Sequence, residues 1–505
     1  MHKAILFVSL FTAALSAMSQ VGQNTYSPPV FNDNARIEKI KATKEVVDKL
    51  FKEQAERAHY PALVYGVVAD GQLIYTGEVG FTDIDKKTKA DITSAFRIAS
   101  MSKSVTAMAI MQLRDAGKLN LDDPAYKYIP ELKKVKYLTS DAPHITVRHL
   151  LTHAAGFPED NPWGDRQLAD SDAELLKTFS DGVTFSNIPG IAFEYSNMGY
   201  ALLGKIISNV TGKPYQVYIT DNIFKPLGMH NTWWEYTKVP AAKLAHGYRW
   251  INGNWREEEL LHDGSYGAMG GLITSIEDFS KYMMLHMNAW PAQDGPENKV
   301  LKRSSIREMQ HPWMFSGLFP RARMMGQTEC ALVSAYGYGL GWLKDCNNMV
   351  SIGHSGGLPG FGSNWRFLPD YNIGVMSYAN LTYAGTGGVT NRVMDTILKM
   401  TNLKPRQWVV SPILKQRQEQ LIKLLPDWKQ AEQSGIFAEN FFADYIVDSL
   451  RSQATRIFGE AGKIERVHDM IPENNLRGSF IMEGEKGKVQ VFFTLTPENP
   501  ALIQE

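Results

Sequence analysis

The sequence predicts an α+β fold, with one antiparallel sheet drawing strands from both ends of the main domain and a helical lobe inserted between them. Three observations carry this expectation. β-rich runs at 61–69 and 72–77 are answered by a second group between about 339 and 378. Between these groups, Leu119 to about Gly270 is dense in helix signals and proline punctuation. At Lys404-Pro405 the pattern changes, and the remaining segment of about one hundred residues again pairs helix with strand signals, enough for a small α+β domain of its own.

Taken in order, residues 1–19 read as a secretory signal peptide. Lys3 gives a positive start, Ala4 to Ala17 is largely apolar but short for a bilayer span, and Ala17-Met18-Ser19 is a small-x-small cleavage site. The expected location is periplasmic or secreted, with no stable membrane span after signal removal. A polar linker, 20–36, leads to the main domain, 37–403, with the accessory domain at 404–505. Ile37 to Ala58 carries apolar residues at helical spacing, and Asp70-Gly71 between β-rich runs predicts a hairpin. Leu414–Leu425 and Ala438–Arg456 read as helices, and Gly478–Glu483 with Lys488–Leu495 as a hairpin. Pro312 to Thr328 is placed where it could cover a cleft.

Whole-chain numbers exclude some functions. With 53 basic and 53 acidic residues among 505, no net field favours nucleic acid. The histidines form no cluster with Asp or Glu at metal-ligand spacing, so no metal and no cofactor is implied. The two cysteines, Cys330 and Cys346, can pair in an oxidising compartment or stand as buried thiols, and the sequence supports both.

The chemistry centres on Phe96 to Gly117. Ser100-Met101-Ser102-Lys103 is a Ser-x-x-Lys at the start of an apolar helical run that includes Val105, Met108, Ile110 and Leu113. Residues three apart share a helix face, so Lys103 lies against the Ser100 hydroxyl. Serine is a weak nucleophile until a neighbour takes its proton, and a lysine whose pKa is lowered by burial can do so. Alone, the pattern is weak, and its bland reading is an N-capping serine with a solvated lysine; against that, the following helix is apolar nearly all round, and a lysine at its buried start needs a reason.

Three further segments occur in order: Leu150-Leu-Thr-His-Ala-Ala-Gly156, Tyr195-Ser-Asn197 and His354-Ser-Gly-Gly-Leu-Pro-Gly-Phe361. With them, residues of about 37 to 400 resemble the serine β-lactamase-related family of class C β-lactamases, D-alanyl-D-alanine carboxypeptidases, D-aminopeptidases and esterases. The resemblance implies a β-lactamase/transpeptidase-like fold, with an antiparallel sheet flanked by helices plus a helical lobe. It implies that Ser100 is an acylated nucleophile, Lys103 its base and Tyr195 a proton carrier. Asn197 would orient Lys103 and substrate, and the backbone N–H groups of Ser100 and Gly357 would form the oxyanion hole beside His354, Ser355 and Gly356. His153 is read as scaffold, with Thr152 and Gly156.

One departure bears on substrate. β-Lactamases begin the third element with lysine, whereas His354 is mostly neutral at pH 7 when unperturbed, which weakens attraction for a substrate carboxylate. The implied activity is a serine hydrolase, esterase- or D-peptidase-like, acting on a small-molecule or peptide substrate. The alternative is a penicillin-binding-type receptor, or a class C-like β-lactamase that acylates at Ser100 but turns over β-lactams weakly. Loops at 157–190 and 285–335 are expected to set specificity.

Overall fold

The computed structural model describes residues 26–322 and 329–505, so the predicted signal peptide lies outside the described residues. The chain forms two compact units, Phe31–Arg406 and Gln407–Glu505, the latter with residues 26–30. Phe31 and Arg406, the first and last residues of the larger unit, lie together, with the guanidinium 4.7 Å from the ring centroid.

The helix expected over 37–58 is two helices, α1 (Arg36–Lys41) and α2 (Lys44–Arg57). They part at Thr43, whose hydroxyl turns back onto the Ile40 carbonyl at 2.7 Å and meets the Tyr75 hydroxyl at 2.8 Å. β1 (Ala62–Ala69) and β2 (Gln72–Asp83) form the expected hairpin. Asp70 and Gly71 have φ of 47° and 73°, the positive values a two-residue turn of this kind requires. A two-residue β3 (Thr88–Lys89) follows.

The helical lobe opens with α3 (Ser102–Asp115), in which every residue from Ser102 to Met111 is buried. Among long loops come α4 (Val147–Leu151), α5 (Trp163–Arg166), α6 (Asn197–Thr211) and α7 (Ile276–Met287). The chain then returns to the sheet through β4 (Met314–Ala322), β5 (Cys330–Tyr336), β6 (Gly341–Asp345), β7 (Val350–Leu358), β8 (Phe361–Leu368) and β9 (Ile373–Ala379), and ends the unit on α8 (Gly387–Thr401).

The nine strands order as β3-β2-β1-β9-β8-β7-β6-β5-β4, so the early and late strand groups meet where β1 pairs antiparallel with β9, Tyr65 opposite Ser377. All eight residues of β1 are buried because both sheet faces are covered. Phe51, Tyr65, Val393 and Ile397 fill the face under α2 and α8, while Val64, Val68, Met108, Phe279 and Trp365 fill the face under α3 and α7. Joining strands more than 300 residues apart in sequence is a tertiary event; the local runs only made it possible.

Of the segment from Pro312 to Thr328, residues 314–322 form the edge strand β4, and residues 323–328 lie outside the described residues. Met314 pairs with Tyr336 at the end of the sheet near His354, while Ala322 pairs with Cys330 at the opposite end, so the described part of this hairpin runs away from His354. Cys330 and Cys346 form a disulfide that ties the start of β5 to the turn after β6.

In the smaller unit, α9 (Pro412–Ile422) and α10 (Val447–Ala461) accompany four strands, β10 (Ile464–Val467), β11 (Ile471–Asn474), β12 (Arg477–Gly484) and β13 (Lys488–Thr494). β12 is central, with β10 and β11 along one edge and the predicted hairpin partner β13 along the other. The helix expected over 438–456 begins only at Val447. Extended backbone at Tyr445 (φ −119°, ψ 90°) ends a single turn, Phe441–Asp444, that packs Phe441 against Phe437 and Trp428. Among the described residues no helix is long and apolar enough to cross a membrane.

Candidate active site

Ser100 does not begin α3. It sits in a single 3₁₀ turn, Ala99–Met101, directly before the helix. Three residues per turn still aligns positions i and i+3, so Lys103 Nζ comes to 2.9 Å from Ser100 Oγ. Ala99 carries φ of 49°, a left-handed conformation held by Ser102, whose hydroxyl donates to the Ala99 carbonyl (2.7 Å) and accepts from the Leu272 N–H (3.1 Å). Ser100 is 8% exposed, whereas Lys103 is fully enclosed.

Lys103 Nζ has two further oxygen partners, with the Met269 sulfur at 3.9 Å behind them. Asn197 Oδ1 lies at 2.7 Å and the Met269 carbonyl at 3.1 Å, and both can only accept. As an ammonium Lys103 donates to all three oxygens, Ser100 Oγ included; once neutral it keeps two N–H bonds on Asn197 and Met269 and can turn its lone pair to the Ser100 hydroxyl. Burial pulls the Lys103 pKa well below that of free lysine, with Asp165 and Asp160 opposing the shift.

The start of α6 fixes Tyr195 and Asn197. The first N–H groups of a helix lack intrahelical partners, and here each from Ser196 to Gly199 is supplied. His153 Nδ1 takes the Ser196 N–H at 3.0 Å, Asp160 takes those of Asn197 (2.6 Å) and Met198 (2.8 Å), and the Ser196 hydroxyl takes that of Gly199 (3.1 Å). Asn197 Nδ2 reaches Asn161 Oδ1 at 2.5 Å and Asp165 Oδ1 at 3.4 Å. The Tyr195 phenol neighbours Ser100, and its ring lies 4.7 Å from Lys103 Nζ. Burial raises the Tyr195 pKa well above the usual phenol range, so the group rests protonated.

The third element lies on β7. This strand pairs with β6 over Val350–Gly353 and with β8 over Ile352–Leu358, so from His354 onward one edge has no strand partner among the described residues. Gly356 faces the nucleophile turn: a Cβ there would stand 2.3 Å from the Ile98 carbonyl oxygen, so only glycine allows the approach. Gly357 and Gly356 are half-buried, and Ser355 is exposed. His354 is 8% exposed, donates Nδ1–H to the Ser355 carbonyl, and accepts the Tyr336 hydroxyl at Nε2 (2.8 Å), which fixes its tautomer. Burial, with the Lys103 charge adding to it, drops the His354 pKa to about 3.

The structure thus gathers Ser100, Lys103, Tyr195 and Asn197 at one point and sets the His354–Gly357 edge beside the Ser100 turn. Sequence reading missed Asp160, Asp165 and Tyr336. Asp165 is buried beside Asn197, and desolvation raises its pKa despite Lys103. Its only signal was position within the 157–190 loop. Among the described residues, no group of His, Cys, Asp and Glu is placed to hold a metal ion.

Known proteins share this architecture. An octameric penicillin-binding protein homologue from Pyrococcus abyssi superposes with a TM-score of 0.57 at 20% identity, covering 90% of this chain and 91% of that one. A penicillin-binding protein from Bacillus halodurans gives 0.54 at 24%, covering 69% and 98%. At such identities these two show the fold alone. In sequence, "Protein flp" of Staphylococcus aureus strain MW2 is 30% identical over 349 residues, covering 67% of this chain and 63% of that protein, so the match spans under two thirds of the relative's length. "Beta-lactamase-like protein 4" of Dictyostelium discoideum is 26% identical over 395 residues, covering 74% and 66%. The family model described as Beta-lactamase matches residues 47–398, and by that match the chain belongs to the β-lactamase family, with the β-lactamase/transpeptidase-like fold.

Proposed function

We propose that the chain is an exported serine hydrolase that forms an acyl-enzyme at Ser100 on ester or amide substrates. The observation that carries the reading is the position of Lys103 Nζ, buried 2.9 Å from Ser100 Oγ with its other oxygen partners obligate acceptors. Lys103 takes the Ser100 proton as Oγ bonds to the carbonyl carbon. The Ser100 and Gly357 N–H groups receive the oxyanion, a contribution of about 3–4 kcal/mol for one donor in comparable sites. The Tyr195 hydroxyl protonates the leaving group and is refilled by the proton held on Lys103. Water then attacks the acyl carbon, and its proton returns by the same groups to Ser100 Oγ.

The neutral His354 supports substrates without a carboxylate beside β7, and so peptide-like amides and esters over β-lactams. The unpaired edge of β7 offers backbone groups to an extended substrate. The test is a timed assay against a p-nitrophenyl ester panel and a chromogenic cephalosporin, with intact mass spectrometry and a Ser100→Ala control. Ester turnover lost in Ser100→Ala, with little cephalosporin hydrolysis, is expected. A persistent single adduct without turnover would instead identify an acylating receptor, and neither adduct nor turnover would overturn the assignment.

A further inference from the structure

We propose that His153 is a positioning residue that holds the Tyr195 phenol against Ser100; the proposal rests on the acyl-enzyme reading above. His153 follows α4 with φ of 56°, a left-handed conformation that histidine adopts more readily than bulkier residues. That conformation lets one residue reach both neighbours of Tyr195. Its carbonyl accepts the Glu194 N–H at 2.8 Å, and its Nδ1 accepts the Ser196 N–H at 3.0 Å. The backbone is thus gripped on each side of Tyr195.

The ring acts as a third point of contact. It lies on the Tyr195 ring with centroids 4.2 Å apart and planes inclined by 35°, and is backed by Tyr336 at 4.6 Å, Tyr200 at 5.1 Å and Phe193 at 5.7 Å. A ring enclosed in this way blocks rotation of Tyr195 away from Ser100. Geometry also excludes His153 as a base. Nδ1 is occupied as an acceptor, so Nε2 carries the hydrogen, and that atom is enclosed without a hydrogen-bond partner among the described residues. Burial and the nearby Lys103 charge both hold the imidazole neutral.

Two variants separate the contributions. His153→Asn keeps an acceptor near the Nδ1 position and tolerates left-handed backbone but removes the ring; His153→Phe keeps a ring and removes the acceptor. Both are made in the full chain, alone and with Tyr195→Phe, and kcat, KM and thermal midpoint are measured on a p-nitrophenyl ester. Each single variant is expected to lower kcat by about 10- to 100-fold with KM within about threefold, within the range that loss of acid–base catalysis spans. In the Tyr195→Phe background neither should lower kcat by more than about twofold, because a residue acting only through Tyr195 has nothing left to position. An undiminished fall in that background, an unchanged kcat in both single variants, or an ascending pH limb displaced by His153→Asn would overturn the proposal. Turnover surviving in Ser100→Ala would instead sink the acyl-enzyme reading on its own.

Discussion

The Tyr336 hydroxyl donates to Nε2 of His354 across 2.8 Å, so the residue standing where β-lactamases carry a lysine is locked as a neutral acceptor. Putting a charge there should change substrate preference. His354→Lys brings a cation near the β7 edge, where a pair with a substrate carboxylate is worth about 1–4 kcal/mol. The ratio of kcat/KM for a carboxylate-bearing cephalosporin to that for a neutral ester should rise at least about tenfold. The thermal midpoint should fall, because Tyr336 loses its acceptor and an ammonium is buried. An unchanged ratio in steady-state assays would show that this position does not select charge.

The pH profile should follow Lys103. It must be neutral to take the Ser100 proton, so kcat/KM rises with pH through a pKa that burial has lowered, giving an ascending limb well below the titration of free lysine. The Asp165 carboxylate favours the ammonium and so raises that pKa. Asp165→Asn should move the limb to lower pH by about half to one unit. A limb that stays put, or moves up, in a kcat/KM profile of the variant contradicts the coupling.

Asp160 touches no reacting atom but anchors the start of α6. Asp160→Ala leaves the Asn197 and Met198 N–H groups buried without acceptors, at about 1–3 kcal/mol each. The variant should melt several degrees lower and lose most of its kcat as Asn197 shifts from Lys103. Asp160→Asn retains one acceptor and should recover about half of the thermal loss. Scanning calorimetry beside ester assays reads both, and a stable, fully active Asp160→Ala would refute the anchoring role.

The disulfide closes a short loop, Cys330 to Cys346, 16 residues apart in sequence. Loops of this length are tied at about 3 kcal/mol of unfolded-state entropy. Replacing both cysteines by serine should lower the unfolding midpoint while leaving ester turnover within about twofold, since the bond lies at the end of the sheet away from His354. A loss of activity larger than that would place β5, through Tyr336, under the control of the bond.

Legibility tracked locality. Ser100 and Lys103 were readable because one turn of helix contains both, and Asp70-Gly71 because the turn's requirement for positive φ is met by two adjacent residues. The break at Thr43 was hidden: helical periodicity runs through it, and only the distant Tyr75 hydroxyl reveals it. Asp160, Asp165 and Tyr336 carried no motif, since each acts on a residue 18 to 62 positions away through loops whose shape follows from the finished core. His153 was visible as a residue but not as a role, because its two backbone partners flank Tyr195 on another segment.

The meeting of Phe31 with Arg406 makes the larger unit a cassette with a single doorway. Its entry and exit points adjoin, so new ends opened in an exposed loop, with the natural ones joined by a short linker, should leave the sheet register and the Ser100 turn undisturbed. In evolutionary terms, a module of this kind can be traded between host chains without a new fold being invented for each.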